Sequence, residues 1–389
     1  MTKSRILYVV STASGYGGEN ALLELLRKLP GDFEPVVISP EEGPLVRALT
    51  GRGIRARVLP FAVLDRSYFH PVRIFAYLGP AFVSFFRLTA LLRELKPALV
   101  HTNNVLILPA AMAARALRIP HVWHVREILQ SYHIHPFLWN IWRWIILTFS
   151  TRVICISSAV RTQFDESDKV VVIHDGIDTE FFHPTRKSIP NSTRRRKGLT
   201  VGIVGRLEHR RKGQDLFIEA ARIALQSRDD LRFVVVGHER ERVEEKEQKL
   251  YDMVRKYGLQ KKVEFRGFVP REQMPKLMNE LDVLVLCSKQ PEGLGIVLLE
   301  AMACKKAVIA FAEGGPLDIL EDHTNGLLVP PRDVAKLADA ILALANKPKL
   351  RGQLGAEGRM TVEASFRSEL TAGKMAELYR EVLKETEEV

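Results

Sequence analysis

The sequence predicts an α/β protein of two Rossmann-like βαβ domains facing a central cleft, and three observations carry that prediction. Short β-branched runs alternate with helical patterns, the mark of βαβ units around a parallel sheet. The alternation breaks at a Pro-, Ser- and Arg-rich stretch, 183–198, that reads as a linker, and then restarts. At 389 residues the chain exceeds one typical core, so two domains are the default.

In the first domain, 1–185, strand candidates are 6–10, 36–39, 57–59, 98–101, 121–124, 152–156 and 170–173. RILYVV, from Arg5, reads as the first core strand with no signal peptide before it. The loop that follows, STASGYGGEN, ends in Gly17 and Gly18 and opens a helix near Glu19. In a doubly wound sheet this carboxyl edge is where ligands dock. Two apolar segments come later. Residues 74–86 carry no charge but include Gly79-Pro80 and fall short of the roughly 20 residues that span a bilayer. Residues 136–149 set Trp139, Trp142 and Trp144 around Arg143, a combination suited to lipid headgroups, although helices packed on a sheet carry the same pattern.

The second domain, 198–365, offers strands at 199–204, 233–236, 263–265, 283–286 and 307–310, each followed by a helical pattern. An amphipathic tail, 368–388, within a terminal segment 366–389, is expected to pack back toward the first domain.

The net charge of +11 is concentrated. Between Gly43 and Phe164 stand fifteen Lys or Arg against three acids, Asp65, Glu94 and Glu127. Such a block favours an anionic partner, with a solvated basic face as the plainer alternative. Joined to the Trp-rich segments, it points to peripheral contact with an anionic membrane. Nucleic acid is disfavoured, because the aromatic residues cluster in apolar helices instead of alternating with Lys and Arg on a strand. Cys155, Cys287 and Cys304 are too few and too widely spaced for a disulfide framework or zinc site, so a reducing cytoplasm is expected.

The stretch 288–304, SKQPEGLGIVLLEAMAC, concentrates the chemistry. It reads as a buried helix, yet Glu300 lies inside it and Glu292 stands before its start. A buried carboxylate is costly unless a polar partner meets it. Gly293 and Gly295 leave the amides around Leu294 and Ile296 open to a close-approaching anion at a helix start. About six residues of helix, roughly 9 Å, separate that start from Glu300, the span from a pyrophosphate to ribose hydroxyls. An ordinary core helix whose Glu300 meets an Arg is the alternative. The restarted domain opens with VGIVGRLEHRRKGQD, where Gly205 ends the strand and Arg206 and Lys212 supply two cations suited to a diphosphate leaving group.

These marks together resemble a family 4 glycosyltransferase of the GT-B fold, a retaining class that uses nucleotide sugars. The matching residues are Gly17-Gly18, IHDGID at 173–178, Gly205-Arg206 with Lys212, Gly267-Phe268, the E-x7-E pair Glu292 and Glu300, and EGG-P at 313–316, in family order over nearly the full length. The resemblance implies that Arg206, Lys212 and the amides of 294–296 bind the donor diphosphate, that Glu300 holds the ribose and Glu292 the transferred sugar, and that the backbone near Phe268 meets the base. It implies that Gly17 and Gly18 approach the donor from the first domain, that domain closure completes the site, and that no metal or other cofactor takes part, the nucleotide sugar being a substrate. No Asp-x-Asp triplet or ligand-spaced His/Cys cluster appears.

Two departures from the family pattern stand out. In HVWHVRE the family histidine falls on His124 or is replaced by Arg126, either placed for the reacting face of the sugar. Asp175 stands where relatives carry Asn, and reads as a turn residue that caps the backbone. The function expected is transfer of a sugar from a nucleoside-diphosphate sugar to a lipid-linked or saccharide acceptor, at the inner face of the cell membrane, in polysaccharide or glycan biosynthesis. The alternatives are a nucleotide-sugar epimerase, which needs no acceptor, and a non-catalytic membrane-associated interaction module. A dinucleotide dehydrogenase fits poorly, since neither first loop gives G-x-G-x-x-G with an acid about twenty residues on.

Overall fold

A computed structural model describes residues 3–15, 17–64, 74–129, 135–185, 198–237 and 243–387. Most of the expected linker, with Asp65, Arg66 and Arg73 of the basic block, lies outside the described residues.

The chain divides into two compact units, 1–176 with 368–389, and 177–367. The division therefore falls before the expected boundary at 185, and Arg359 supplies the reason. Its Nη1 donates to the carbonyls of Thr179 (3.3 Å), Phe182 (2.9 Å) and Ala303 (2.6 Å), while the Ile177 amide donates to Phe366 O at 2.9 Å. Residues 177–182 are thereby fastened to the second unit.

The first unit is built on β1 (Ser4–Val9), β2 (Phe33–Ser39), β3 (Arg55–Val58), β4 (Leu99–Thr102), β5 (His121–Val125), β6 (Arg152–Cys155) and β7 (Val170–Val172). They form one parallel sheet in the order β3-β2-β1-β4-β5-β6-β7. Alternate residues feed two cores. Leu7, Val9 and Val100 pack on the helix Ile74–Leu95. Ile6, Tyr8 and Leu99 pack on the opposite layer, which includes Met375 and Tyr379 of the last helix, Ser368–Glu387. That helix is pinned to the same unit by Lys28–Glu369 (2.6 Å), Arg380–Asp32 (2.8 Å) and Arg152–Glu385.

The second unit carries β8 (Thr200–Val204), β9 (Arg232–Val236), β10 (Val263–Phe265), β11 (Val283–Leu286), β12 (Ala307–Phe311) and β13 (Leu327–Val329), parallel in the order β10-β9-β8-β11-β12-β13. β13 is a strand beyond the five expected there. It has three residues and follows Gly326, too short a run to stand out by periodicity.

Two helices differ from the sequence reading. The apolar segment at 74 continues to Leu95 through Pro80, because Ser84 accepts from the Ala62 amide and donates to Pro80 O (both 2.7 Å) and the later turns bury Leu88, Leu91, Leu92 and Leu95. The helix in 288–304 occupies only Ile296–Ala303, since Gly295 at φ 93° sets its N-terminus. Glycine tolerates that left-handed backbone. Here a Cβ would also approach Leu286 Cδ2 to 2.9 Å.

Candidate active site

In each sheet the strand order reverses once, between β1 and β4 and between β8 and β11. Open α/β sheets bind ligands beyond the carboxyl ends of the strands at such switch points. The loops 205–213 and 287–295 both leave the second switch point.

Those two loops are packed backbone to backbone. The Lys289 amide donates to Arg211 O (2.7 Å), and Cys287 Sγ to Gly213 O (3.3 Å). Gly213 sits at φ 72°, and a Cβ there would lie 1.9 Å from Cys287 O, so no larger residue fits. This approach brings Lys212 Nζ to within 2.7 Å of Glu292 Oε1, while the Ser288 hydroxyl donates to the same oxygen. Burial alone would push the Glu292 carboxyl up, but the Lys212 ammonium, with the Ser288 hydroxyl, holds it below the usual carboxylate range. Glu292 is therefore an anion beside a cation, accepting from both sides.

Arg206 follows Gly205, whose amide completes the strand end by donating to Val236 O at 3.0 Å. Gln214 Nε2 donates to Arg206 O (2.7 Å), fixing the turn, and the half-exposed guanidinium has Glu208 at 3.9 Å. The Glu292 segment is backed by Glu313, Gly314 and Gly315. The Gly315 amide donates to Glu292 O (2.8 Å), and a Cβ on Gly315 would lie 2.3 Å from Leu294 Cα. Two glycines are thus required for the 292–295 backbone to be clasped from behind.

Glu300 is 7% exposed, one turn into the helix, with Arg271 Nη1 3.4 Å from its Oε1. Arg271 also lies over the rings of Phe181 (5.6 Å) and Phe182 (5.5 Å). The sequence reading did not select Arg271. Only the buried carboxylate signalled that a cation would be needed. Phe268, after β10, presents an exposed ring, and Gly267 O accepts from the Gly237 amide at 2.9 Å.

The first unit holds a separate cluster at the ends of β4 and β5. Gly17 and Gly18 form the first turn of the helix Gly17–Lys28, two residues earlier than expected, and a Cβ on Gly18 would lie 3.5 Å from Arg126 Cδ. Arg126 donates from Nε to Asn103 Oδ1 (3.0 Å) and from Nη1 to Asp175 Oδ2 (2.5 Å), while its Nη2 is buried with no partner among the described residues. Asp175 is therefore the counter-ion of Arg126, which corrects its reading as a turn cap. The capping carboxylate of that segment is Asp178, which accepts from the amides of Glu180 (2.9 Å) and Phe181 (3.0 Å). His124 is fully buried, bonded through Nδ1 to His101 Nε2 at 3.2 Å, and its Nε2 has no partner among the described residues. Burial and the nearby Arg126 charge keep both imidazoles neutral, well below the ordinary histidine range.

Of the tryptophans expected at a membrane surface, Trp139 and Trp142 are core residues and Trp144 alone is exposed; Arg143 pairs with Asp165 at 2.7 Å. Among the described residues, no group of three or more His, Cys, Asp or Glu could hold a metal ion.

The profile described as Glycosyltransferase Family 4 matches residues 16–181, and that described as Glycosyl transferases group 1 matches 185–361. The chain is 31% identical over 182 residues to the alpha-D-kanosaminyltransferase of Streptomyces kanamyceticus, covering 47% of this chain and 45% of that protein. It is 31% identical over 252 residues to the D-inositol 3-phosphate glycosyltransferase of Frankia alni, covering 61% of this chain and 60% of that one. The chain thus spans about half the length of the curated relatives it matches. HepE of Anabaena, solved in complex with UDP and glucose, has a TM-score of 0.82 to this chain at 23% identity, over 96% of this chain and 99% of that one, a likeness that shows the GT-B fold.

Proposed function

The chain belongs to the group 1 glycosyltransferases of family 4, and from that membership we propose that it moves a sugar, with retention at the anomeric carbon, from a nucleoside-diphosphate sugar to an acceptor hydroxyl. The observation that carries this reading is the Lys212–Glu292 pair at the β8/β11 switch point, beside a helix start opened by Gly295.

In this reading Arg206 and Lys212, with the amides of 294–296, bind the diphosphate and offset the charge that develops as the glycosidic bond breaks. Glu292 accepts from hydroxyls of the transferred sugar, and Glu300, held by Arg271, accepts from the ribose. The backbone around Gly267 and Phe268 meets the base. These cations and amides do the work that a divalent metal would do, so the reaction is metal-independent. The departing phosphate oxygen takes the acceptor proton on the same face of the sugar, which leaves the protein to position and to stabilise charge. Within the first unit, His124, Arg126, Gly17 and Gly18 offer donors and open backbone suited to the oxygens of a sugar or an acceptor.

The acceptor we propose is a lipid-linked or saccharide hydroxyl presented at the cytoplasmic face of a membrane. Support comes from the helix Ile74–Leu95, which exposes Phe75, Leu78, Phe82, Val83 and Phe86 while burying its other face in the core. A helix half committed to a domain core lies along an interface and does not cross it.

The test is release of nucleoside diphosphate from a panel of UDP-, GDP-, ADP- and dTDP-sugars, with EDTA present and no acceptor. Slow release from one donor, lost in Arg206→Ala and Glu300→Ala, is the expected result. No release and no thermal stabilisation by any donor would overturn the reading.

A further inference from the structure

A buried chain of hydrogen bonds runs from β1 to His124. Tyr8 Oη lies 3.0 Å from Tyr379 Oη, Tyr379 Oη lies 2.8 Å from His101 Nδ1, and His101 Nε2 lies 3.2 Å from His124 Nδ1. All four side chains are essentially fully buried. Burial raises the Tyr379 phenol and lowers both imidazoles, so every member is neutral and carries one hydrogen at its polar end.

Such a chain has two polarities. In the first, Tyr8 donates to Tyr379, Tyr379 to His101 Nδ1, and His101 Nε2–H to His124 Nδ1, which leaves the hydrogen of His124 on Nε2. In the second every bond is reversed, so that the lone pair is left unpaired at the buried His124 Nε2 and the Tyr8 hydroxyl hydrogen is left without an acceptor among the described residues. Each polarity leaves one hydrogen and one acceptor unpaired, the His124 Nε2–H and the Tyr8 oxygen in the first, the Tyr8 O–H and the His124 Nε2 lone pair in the second. A phenol is the stronger donor and an imidazole nitrogen the stronger acceptor, so the second strands the costlier pair. The geometry therefore favours the first.

We propose that Tyr379, on the last helix, is a positioning residue that fixes the tautomer of His124, so that His124 presents an Nε2–H donor to an oxygen of the bound sugar or acceptor. The identity of that oxygen rests on the glycosyltransferase reading; the tautomer does not. Arg126, two residues on, likewise leaves its Nη2 as a donor without a partner among the described residues. The end of β5 thus offers donors only, and selects ligand groups that can accept.

The test is two-bond 1H–15N spectroscopy of the full-length protein with labelled histidine, assigned with His101→Gln and His124→Gln. In the wild type, His124 is expected to show a protonated Nε2 and a bare Nδ1. Tyr379→Phe should populate both tautomers of His101 and His124, whereas Tyr8→Phe, which leaves the Tyr379 donor in place, should keep the wild-type pattern. For any donor that turns over, kcat should fall about tenfold in Tyr379→Phe with KM changed less than about twofold, and stay near wild type in Tyr8→Phe. A merely structural tyrosine would lower stability without moving the tautomer. A wild-type His124 protonated at Nδ1 overturns the proposal even if Tyr379→Phe does not fold, and so does an unchanged Tyr379→Phe spectrum. If no donor turns over, the functional reading fails while the spectrum still decides the tautomer.

Discussion

Asp175 shows how much one buried ion pair decides. Its carboxylate meets Arg126 at 2.5 Å with both side chains about nine-tenths covered. Asp175→Ala would leave a buried guanidinium without its counter-charge, a loss of about 3–5 kcal/mol that urea unfolding reads directly. The buried histidines make a pH prediction. His101 and His124 lie well below 6.5, and His121, whose burial outweighs its bond to Phe149 O, is lowered to about 4. Below pH 6.5 the unfolded chain takes up protons that the folded chain refuses, so stability falls as pH falls. Each of the three histidines contributes up to about 1.4 kcal/mol per pH unit. Unfolding free energy measured between pH 7 and pH 4.5 should therefore drop more steeply in the wild type than in His121→Asn. A flat profile would contradict the buried, neutral assignment.

At the scale of single elements, the helix Ile74–Leu95 carries one face in the core and one face of exposed aromatic and aliphatic side chains. If that face seats on a membrane, Phe82→Ser with Phe86→Ser should lower sedimentation with phosphatidylglycerol vesicles by an order of magnitude or so while leaving thermal stability unchanged. Equal sedimentation of both proteins would remove the membrane from the account. The β-strands other than β13 were legible in sequence because runs such as Val283–Leu286 are wholly apolar and bounded by polar turns. The helix Ile74–Leu95 was legible only in its first half. Gly79-Pro80 argued for a break, and the bonds of Ser84 that carry the chain through are not visible in the order of residues.

At the scale of the whole chain, the second unit is continuous from Ile177 to Arg367, whereas the first needs the last helix returned to it. A fragment of residues 177–367 should fold cooperatively by circular dichroism. Truncation after Arg367 should unfold the first unit at a lower temperature, since it strips Met375, Ala376, Tyr379 and Val382 from its core. The β8/β11 edge was readable from sequence because its groups fall in two short stretches, Arg206 to Lys212 and Glu292 to Glu300, the latter before and inside one short helix, although 80 residues separate Lys212 from Glu292. The cluster around His124 was only partly readable. Tyr379 stands 278 residues from His101, and no local pattern ties them. Arg271 escaped for the same reason, its partner Glu300 lying 29 residues away across a strand and a helix.

Whether the β8/β11 edge is a nucleotide-sugar site is decided by titration calorimetry of the full chain with UDP-, GDP-, ADP- and dTDP-sugars and with the corresponding nucleoside diphosphates. Saturable binding of one base series to the wild type is expected, weakened about tenfold or more in Lys212→Ala for both ligand forms. In Glu292→Gln the preference for the sugar-bearing form should be lost while diphosphate binding persists. Binding that is absent from every series, or indifferent to Lys212 and Glu292, would contradict that reading of the edge.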